Sequence, residues 1–377
     1  MLETMIAPQK VNGAKDAISR YVRLKQELDQ DIFNNRWFVE DSLNVSLEDF
    51  CYNYVDLFSG AGGLSLGFTH ANFEKIVSSE IDPDASATNK RHWPNAIHLE
   101  GPIENFSDGD IIKATKGQTI HVVCGGPPCN GFSVAGMRNP QDPRNLLFKQ
   151  FVRVVNLIKP WFVLMENVPG ILTMSGGQVK DTILQSFEKI DYPNMSVRIL
   201  EAADYGVPQL RTRAIFVGNR FNFLNPYPKE IYSRANYRPI EGAIRDLIDV
   251  PRTSSINHEW TDHSKEFERR ISKVLPGGSL YPSFRDAFKR QYLGVPSMTI
   301  KENHGGTHIH PILNRVISVR EMARLQTFPD DFYFEGGMKR GMWQVGNAVP
   351  VLMAEHMARA LRPSLDRIRE KKTRKER

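Results

Sequence analysis

Asp56–Phe68 reads DLFSGAGGLSLGF, an apolar strand that runs into a glycine-rich turn and then a helix. Gly60, Gly62 and Gly63 permit a tight turn and let a ligand approach the backbone. The helix start beyond them offers free N–H groups and the positive end of a dipole. Glu80 closes the next strand, 20 residues after Gly60. A carboxylate there is placed to accept hydrogen bonds from ribose hydroxyls. The spacing is G-A-G-G rather than G-x-G-x-x-G, so the loop alone leaves open a nicotinamide dinucleotide, another adenosine cofactor, or a purely structural turn.

Working outward, short apolar runs alternate with helical stretches. Tyr54–Phe58, Lys75–Glu80, Ile97–Leu99, Ile120–Cys124, Trp161–Met165, Ser196–Leu200 and Ala214–Val217 read as strands. Leu64–Ala71, Ala85–His92, Leu146–Ile158 and Val179–Ile190 read as helices between them. This alternation predicts an α/β fold with a doubly wound, mostly parallel sheet. The rhythm breaks after residue 220. Residues 221–317 are rich in turns, with fourteen Lys/Arg against ten Asp/Glu, and read as a smaller, irregular second domain. Helical pattern resumes in 318–361, with a last helix expected over Val349–Leu361. Residues 1–50 read as a polar extension with a helix over Ala14–Phe33. Residues 362–377, with eight Lys/Arg and three Asp/Glu, read as a solvated basic tail.

The 377 residues carry a net charge of +6, compatible with a polyanionic partner. No run approaches the ~20 apolar residues of a membrane-spanning helix, and no secretory signal stands at the start. Three cysteines make no disulfide framework, which points to a reducing, cytoplasmic setting. Cys124 lies within a strand and reads as structural, and the C-x4-C pair has no second ligand pair for zinc.

Cys129 is different. His121–Ser133 reads HVVCGGPPCNGFS: a buried-type strand ends in Gly-Gly, two prolines stiffen the chain, and the thiol follows at the strand's carboxyl end. That is where a doubly wound sheet binds ligands, so Cys129 is a candidate nucleophile. In WFVLMENVPG, Glu166 stands at another strand end and faces the same crevice, where burial would favour its neutral, proton-donating form. In YGVPQLRTRAIFVG, Arg211 and Arg213 lie two apart on a strand, with both guanidinium groups on one face.

Taken in order, FSGAGG, GGPPCNGFS, ENV, QLRTR, REMARLQTFPD and GNAVP resemble the motif series of DNA cytosine-5 methyltransferases of the bacterial restriction–modification type, over about Tyr54–Leu361. The resemblance implies a Rossmann-like, S-adenosylmethionine-dependent sheet domain (51–220, rejoined by 318–361) and a target-recognition domain (221–317). It implies Cys129 as nucleophile, Glu166 on the cytosine ring, and Arg211 and Arg213 supporting the base and nearby backbone. Phe58, Gly60, Gly62, Ile103 and Pro128 would line the cofactor pocket, with Glu80 on the ribose and Leu147 of RNLLFKQF on the adenine. Asn347 and Val349 of GNAVP would return to that site. Residues 131–145 resemble the family's active-site loop, with Ser133 and Arg138 on DNA. Arg285, Thr299, His304 and His308 are the expected DNA contacts of the recognition region, His304, His308 and His310 reading as loop residues and not as metal ligands. One departure stands out: where the family usually carries an acidic residue against the adenine amino group, this chain has Pro102, so that contact passes to a neighbour or the backbone. Implied partners are S-adenosylmethionine, double-stranded DNA and a cognate restriction endonuclease. No metal and no membrane are implied, and a monomer is expected. The same motifs also serve RNA-acting relatives.

Overall fold

The computed structural model describes residues 50–128, 145–221, 223–281, 288–302 and 308–376. In chain order its first half runs β1 (Tyr52–Leu57), α1 (Gly63–His70), β2 (Phe73–Glu80), α2 (Pro83–His92), β3 (Ile97–Glu100), α3 (Asp108–Ala114), β4 (Val122–Gly125), α4 (Asn145–Ile158), β5 (Phe162–Asn167), α5 (Gln178–Glu188), β6 (Ser196–Glu201) and β7 (Thr212–Asn219). The seven strands form one sheet in the order β3-β2-β1-β4-β5-β7-β6. β1 lies parallel to β2 and β4, β2 to β3, and β4 to β5, while β7 runs antiparallel to both β5 and β6. The mostly parallel α/β sheet predicted from the sequence is therefore present, and each of the seven expected strands is found. β7 is reversed because only residues 202–211 separate it from β6, too few for the crossover that a parallel return needs.

The strand order changes direction between β1 and β4. At such a switch point the connections leave to opposite sides, and a crevice opens beyond the carboxyl ends of the two strands. The glycine loop leaves β1 there, and Gly126-Pro127-Pro128 leaves β4 beside it. α3 escapes the apolar pattern because its stretch is short and polar. A capping box holds it, with Ser107 and Asp110 each bonding the other's backbone N–H.

The second half contains α6 (Glu241–Ile244), α7 (Lys265–Ser272), the short parallel pair β8 (Lys289–Arg290) and β9 (His308–Ile309), α8 (Val319–Leu325), α9 (Gly337–Asn347) and α10 (Val351–Glu376). Ile240, Ile300 and Ile317 share an apolar cluster with Met322 of α8, Val345 of α9, and Ala61 of the glycine loop. The irregular segment is thus seated on the same residues that support the loop.

α10 corrects the expected tail. The helix does not stop at Leu361 but continues to Glu376. Leu361, Leu365 and Ile368, at helical spacing, are buried in a cluster with Tyr54, Phe68 and Phe73. The basic residues that hid this pattern have partners. Arg362 donates to the carbonyls of Ala71 (3.0 Å) and Phe50 (3.0 Å). The cations of Arg369, Lys371 and Lys372 lie 4.7, 4.9 and 4.8 Å from the ring centres of Phe50, Phe223 and Trp161. Among the described residues no helix is long and apolar enough to cross a membrane. The helix expected over Ala14–Phe33 lies outside the described residues.

Candidate active site

Beyond Leu57 the loop takes three left-handed residues, Phe58, Gly60 and Gly62, with φ of 57°, 52° and 93°. The backbone N–H groups of Phe58 and Ser59 donate to Ser79, to its Oγ at 3.4 Å and its carbonyl at 3.0 Å. Gly60 N–H donates to Glu80 Oε2 at 2.7 Å, and Asp82 N–H to Oε1 at 2.8 Å. Each carboxylate oxygen thus holds one N–H and keeps acceptor capacity for a hydroxyl. Burial pushes the Glu80 carboxyl up to about 7, against the downward pull of the Gly60 and Ile81 backbone groups.

The glycines divide the loop into a closed side and an open one. A Cβ on Gly62 would lie 2.6 Å from the Trp93 ring, and one on Gly63 2.2 Å from the Val349 carbonyl oxygen. A Cβ on Gly60 would meet nothing within 4 Å. The Val349 carbonyl therefore packs against the loop at Gly63. Its neighbour Asn347 donates to Glu302 Oε2 at 2.8 Å. Ile103 is buried in a turn after β3, and Gly101 N–H donates to the Glu80 carbonyl at 2.9 Å, which brings Pro102 and Ile103 alongside Glu80. Pro128 is exposed at the exit of β4, and Leu147 is half-buried in the first turn of α4.

At the end of β5 the Glu166 carboxylate meets the Arg213 guanidinium, Nε to Oε1 2.6 Å, with the two side chains 14% and 12% exposed. Burial alone predicts a neutral, proton-donating carboxyl here; the structure has an ion pair instead. A Cβ on Gly126 would lie 3.0 Å from Glu166 Oε2, so the β4 exit runs close against this carboxylate. Next in sequence, Asn167 donates to the Pro127 carbonyl at 2.9 Å and pins the proline turn. Its role was hidden in the sequence, where it reads as one more polar residue at a strand end.

Arg211 requires a correction. Its side chain is 2% exposed, and its guanidinium donates to the carbonyls of Ile300 (2.7 Å), Gly346 (2.9 Å) and Ala348 (2.9 Å). It ties the irregular segment and the GNAVP turn to the sheet, and only Arg213 faces Glu166. Gln209 and Gln326 complete this junction, Gln209 accepting Ile300 N–H at 2.9 Å and donating to Gln326 at 3.0 Å.

The expected DNA contacts fare unevenly. His308 is buried, with Nδ1 2.8 Å from the Gln291 amide, and does not face a partner surface. His310 is also buried, its Nδ1 accepting the N–H groups of Ile312 and Leu313, and burial pushes it down to about 4. The cause in both is the β8–β9 pair, which turns this stretch inward. Thr299 is half-buried and donates to the Leu210 carbonyl at 2.7 Å. Cys129, Ser133, Arg138, Arg285 and His304 lie outside the described residues.

A carboxylate–guanidinium pair beside a Pro-Pro turn, two strands away from a glycine cradle, is the geometry on which the comparisons bear. The family profile of C-5 cytosine-specific DNA methylases matches residues 52–362. The chain belongs to that family. As a cytosine-5 DNA methylase it is 39% identical over 323 residues to the Type II methyltransferase M1.HphI of Haemophilus parahaemolyticus, covering 82% of this chain and 86% of the relative. It is 34% identical over 367 residues to the Type II methyltransferase M.DdeI of Desulfomicrobium norvegicum, with 81% and 87% covered. Among solved structures, the methylase is similar to a prophage-encoded E. coli chain assigned as a DNA modification methyltransferase, at a TM-score of 0.66 and 27% identity over 84% of this chain and 99% of that one. The S. pombe Dnmt2 methyltransferase shares the fold, at a TM-score of 0.60 and 17% identity over 83% and 99%. The profile spans the methylase from β1 into α10, and so takes in both the glycine cradle and the Glu166–Arg213 pair.

Proposed function

We propose that this methylase transfers a methyl group from S-adenosylmethionine to C5 of a flipped cytosine in a short duplex DNA sequence, as the modification enzyme of a Type II restriction–modification system. The observation that carries the reading is the Glu166–Arg213 pair, set against the exit of β4 two strands from the glycine cradle. The cradle fits an adenosyl cofactor. Gly60 leaves open space where a side chain would stand, and Glu80 has acceptor capacity left for ribose hydroxyls. Phe58, Gly60, Gly62, Ile103, Pro128, Leu147, Asn347 and Val349 are the residues assigned to it, with Pro102 leaving the adenine amino group to a neighbour or the backbone. When bound, S-adenosylmethionine supplies an electrophilic methyl group on a sulfonium sulfur.

The chain's own residues prepare the base. Cytosine C5 is a poor nucleophile within an aromatic ring. Addition of the Cys129 thiolate to C6 breaks that aromaticity and makes C5 enamine-like. Sharing a proton between Glu166 and N3 relieves the negative charge that develops on the ring. Arg213 holds Glu166 in place. Once C5 carries the methyl, a base takes its proton, the C–H electrons restore the C5–C6 double bond, and Cys129 leaves C6 as thiolate. The target atoms are inaccessible in a stacked duplex, so the base leaves the helix at a cost of about a few kcal/mol, offset by phosphate contacts. The irregular segment 221–317 is the assigned DNA reader, with Thr299, Arg285 and His304 as candidate contacts. A cognate endonuclease would share the site. The enzyme acts as a cytoplasmic monomer, since it modifies one base at a time.

Bisulfite sequencing of plasmid DNA from cells expressing the protein tests this, with Cys129→Ser as control. Protected cytosines in one short context, lost in the variant, are expected. Protection that survives Cys129→Ser would reject the nucleophile. Labelled-methyl incorporation into tRNA but not DNA would reject the substrate.

A further inference from the structure

Lys75 is buried in β2 at 5% exposure, in a strand with β1 and β3 on its two sides. A central strand of a covered parallel sheet ordinarily carries apolar side chains at such a position. The Lys75 ammonium group instead donates to Oδ1 of Asn89 and lies 4.0 Å from the centre of the Trp93 ring. Both partners support the glycine loop. Asn89, fully buried in α2, donates its amide to the Gly60 carbonyl at 2.6 Å and to the Ala85 carbonyl at 3.1 Å. Trp93 stands where a Cβ on Gly62 would fall, 2.6 Å away.

Gly60 is therefore held at both ends of its residue. Its N–H goes outward to Glu80 and its carbonyl goes inward to Asn89, fixing a left-handed conformation that nothing else touches from the open side. The cation also sits within the field of Asp56 on β1, Cys124 on β4 and His98 on β3. Asp56 is itself engaged by Ser65 Oγ at 2.5 Å. Burying an ammonium group is costly unless it is paired, and here Asn89, the Trp93 ring and the field of Asp56 pair it. A charge kept here serves the loop rather than the core.

We propose that Lys75 and Asn89 are positioning residues for the cofactor, a buried strut that fixes the Gly60 peptide so that the loop is shaped before the cofactor arrives. The inference rests on the reading of this loop as the cofactor site. Preorganisation of this kind acts on affinity, because the free protein no longer has to order the loop on binding. It leaves the chemistry at Glu166 untouched.

The test is titration calorimetry of the full-length protein with S-adenosylhomocysteine, comparing wild type with Lys75→Met, Asn89→Asp and Glu80→Ala. Lys75→Met removes the strut's cation. Asn89→Asp keeps an acceptor for Lys75 but loses the donor to Gly60, so it separates support of the loop from support of the core. Each is expected to weaken binding about tenfold, the scale of one charge-assisted hydrogen bond. In Lys75→Met and Asn89→Asp the rate at saturating cofactor should stay within about twofold of wild type, so that the effect falls on KM. Binding unchanged in Lys75→Met and Asn89→Asp but weakened in Glu80→Ala would overturn the strut and leave the cofactor site standing. Binding unchanged in all three would overturn the cofactor site and the strut with it.

Discussion

The Glu166–Arg213 pair is the feature whose removal should be most informative. At an effective dielectric of about 20, unit charges ~4 Å apart attract by about 4 kcal/mol, and desolvation offsets much of this. With 14% and 12% of the side chains exposed and a 2.6 Å contact, the pair is neither a loose surface bridge nor fully enclosed. A coupling of about 1.5–3 kcal/mol follows, the range for a hydrogen bond between charged groups. A double-mutant cycle with Arg213→Leu, Glu166→Gln and the double variant, read by urea unfolding, measures it directly. Activity should respond more strongly. Arg213→Leu leaves the carboxylate free to leave the position from which, in the proposed mechanism, it would meet the base, and a loss of about a hundredfold in kcat corresponds to about 2.7 kcal/mol. Initial rates of labelled-methyl incorporation at saturating DNA and cofactor give that value. A coupling below about 0.5 kcal/mol would refute the pair as a structural unit. A kcat in Arg213→Leu within about twofold of wild type would refute its positioning role.

Four further outcomes are expected. Gly63→Ala forces a methyl group to within 2.2 Å of the Val349 carbonyl, so unfolding in urea should show a loss of about 2–3 kcal/mol, and a neutral effect would contradict that packing. Cofactor binding should strengthen as pH rises through about 7, because the Glu80 carboxyl, pushed up by burial, is ionised only above that point, and Glu80→Gln should flatten the profile measured by calorimetry. His308→Ala should lower the melting temperature yet leave the methylated sequence unchanged in bisulfite reads, since His308 is buried against Gln291, and altered site choice would restore it as a DNA contact. Ending the chain after Leu361 removes the buried Leu365 and Ile368, at about 1.5–3 kcal/mol each, and should cost about 4 kcal/mol in thermal unfolding, where a tolerated truncation would refute the helical reading.

Much of the fold was legible because a buried parallel strand is a short apolar run and its punctuation is glycine and proline. The strand-to-glycine junction at Leu57–Gly60 and the β4 exit at Gly126-Pro127-Pro128 declared themselves in that way. Glu80 and Glu166 were legible as carboxylates at strand ends, where topology alone decides what they face. What stayed hidden depended on partners distant in sequence. Arg211 and Arg213 look alike two residues apart, yet one is enclosed by the carbonyls of Ile300, Gly346 and Ala348 and the other meets Glu166. His308 sits in a turn-rich, polar stretch, and only its pairing into β8–β9 buries it. In α10, helical spacing of Leu361, Leu365 and Ile368 was masked by basic residues that cover aromatic rings from elsewhere in the chain.

The contacts that close α10 onto β1 also set a clock. Tyr52 at the start of the sheet donates to Asp366, a partner 314 positions later. The glycine loop likewise waits for Val349 to stand against Gly63. At about 5–20 residues per second of synthesis, β1 spends roughly 16–63 s without its covering helix. A half-made chain can form the strands but not the cradle. On a ribosome this enzyme acquires the means to modify DNA only near the end of its own translation, so fragments cut short by premature stops would leave the genome unmarked.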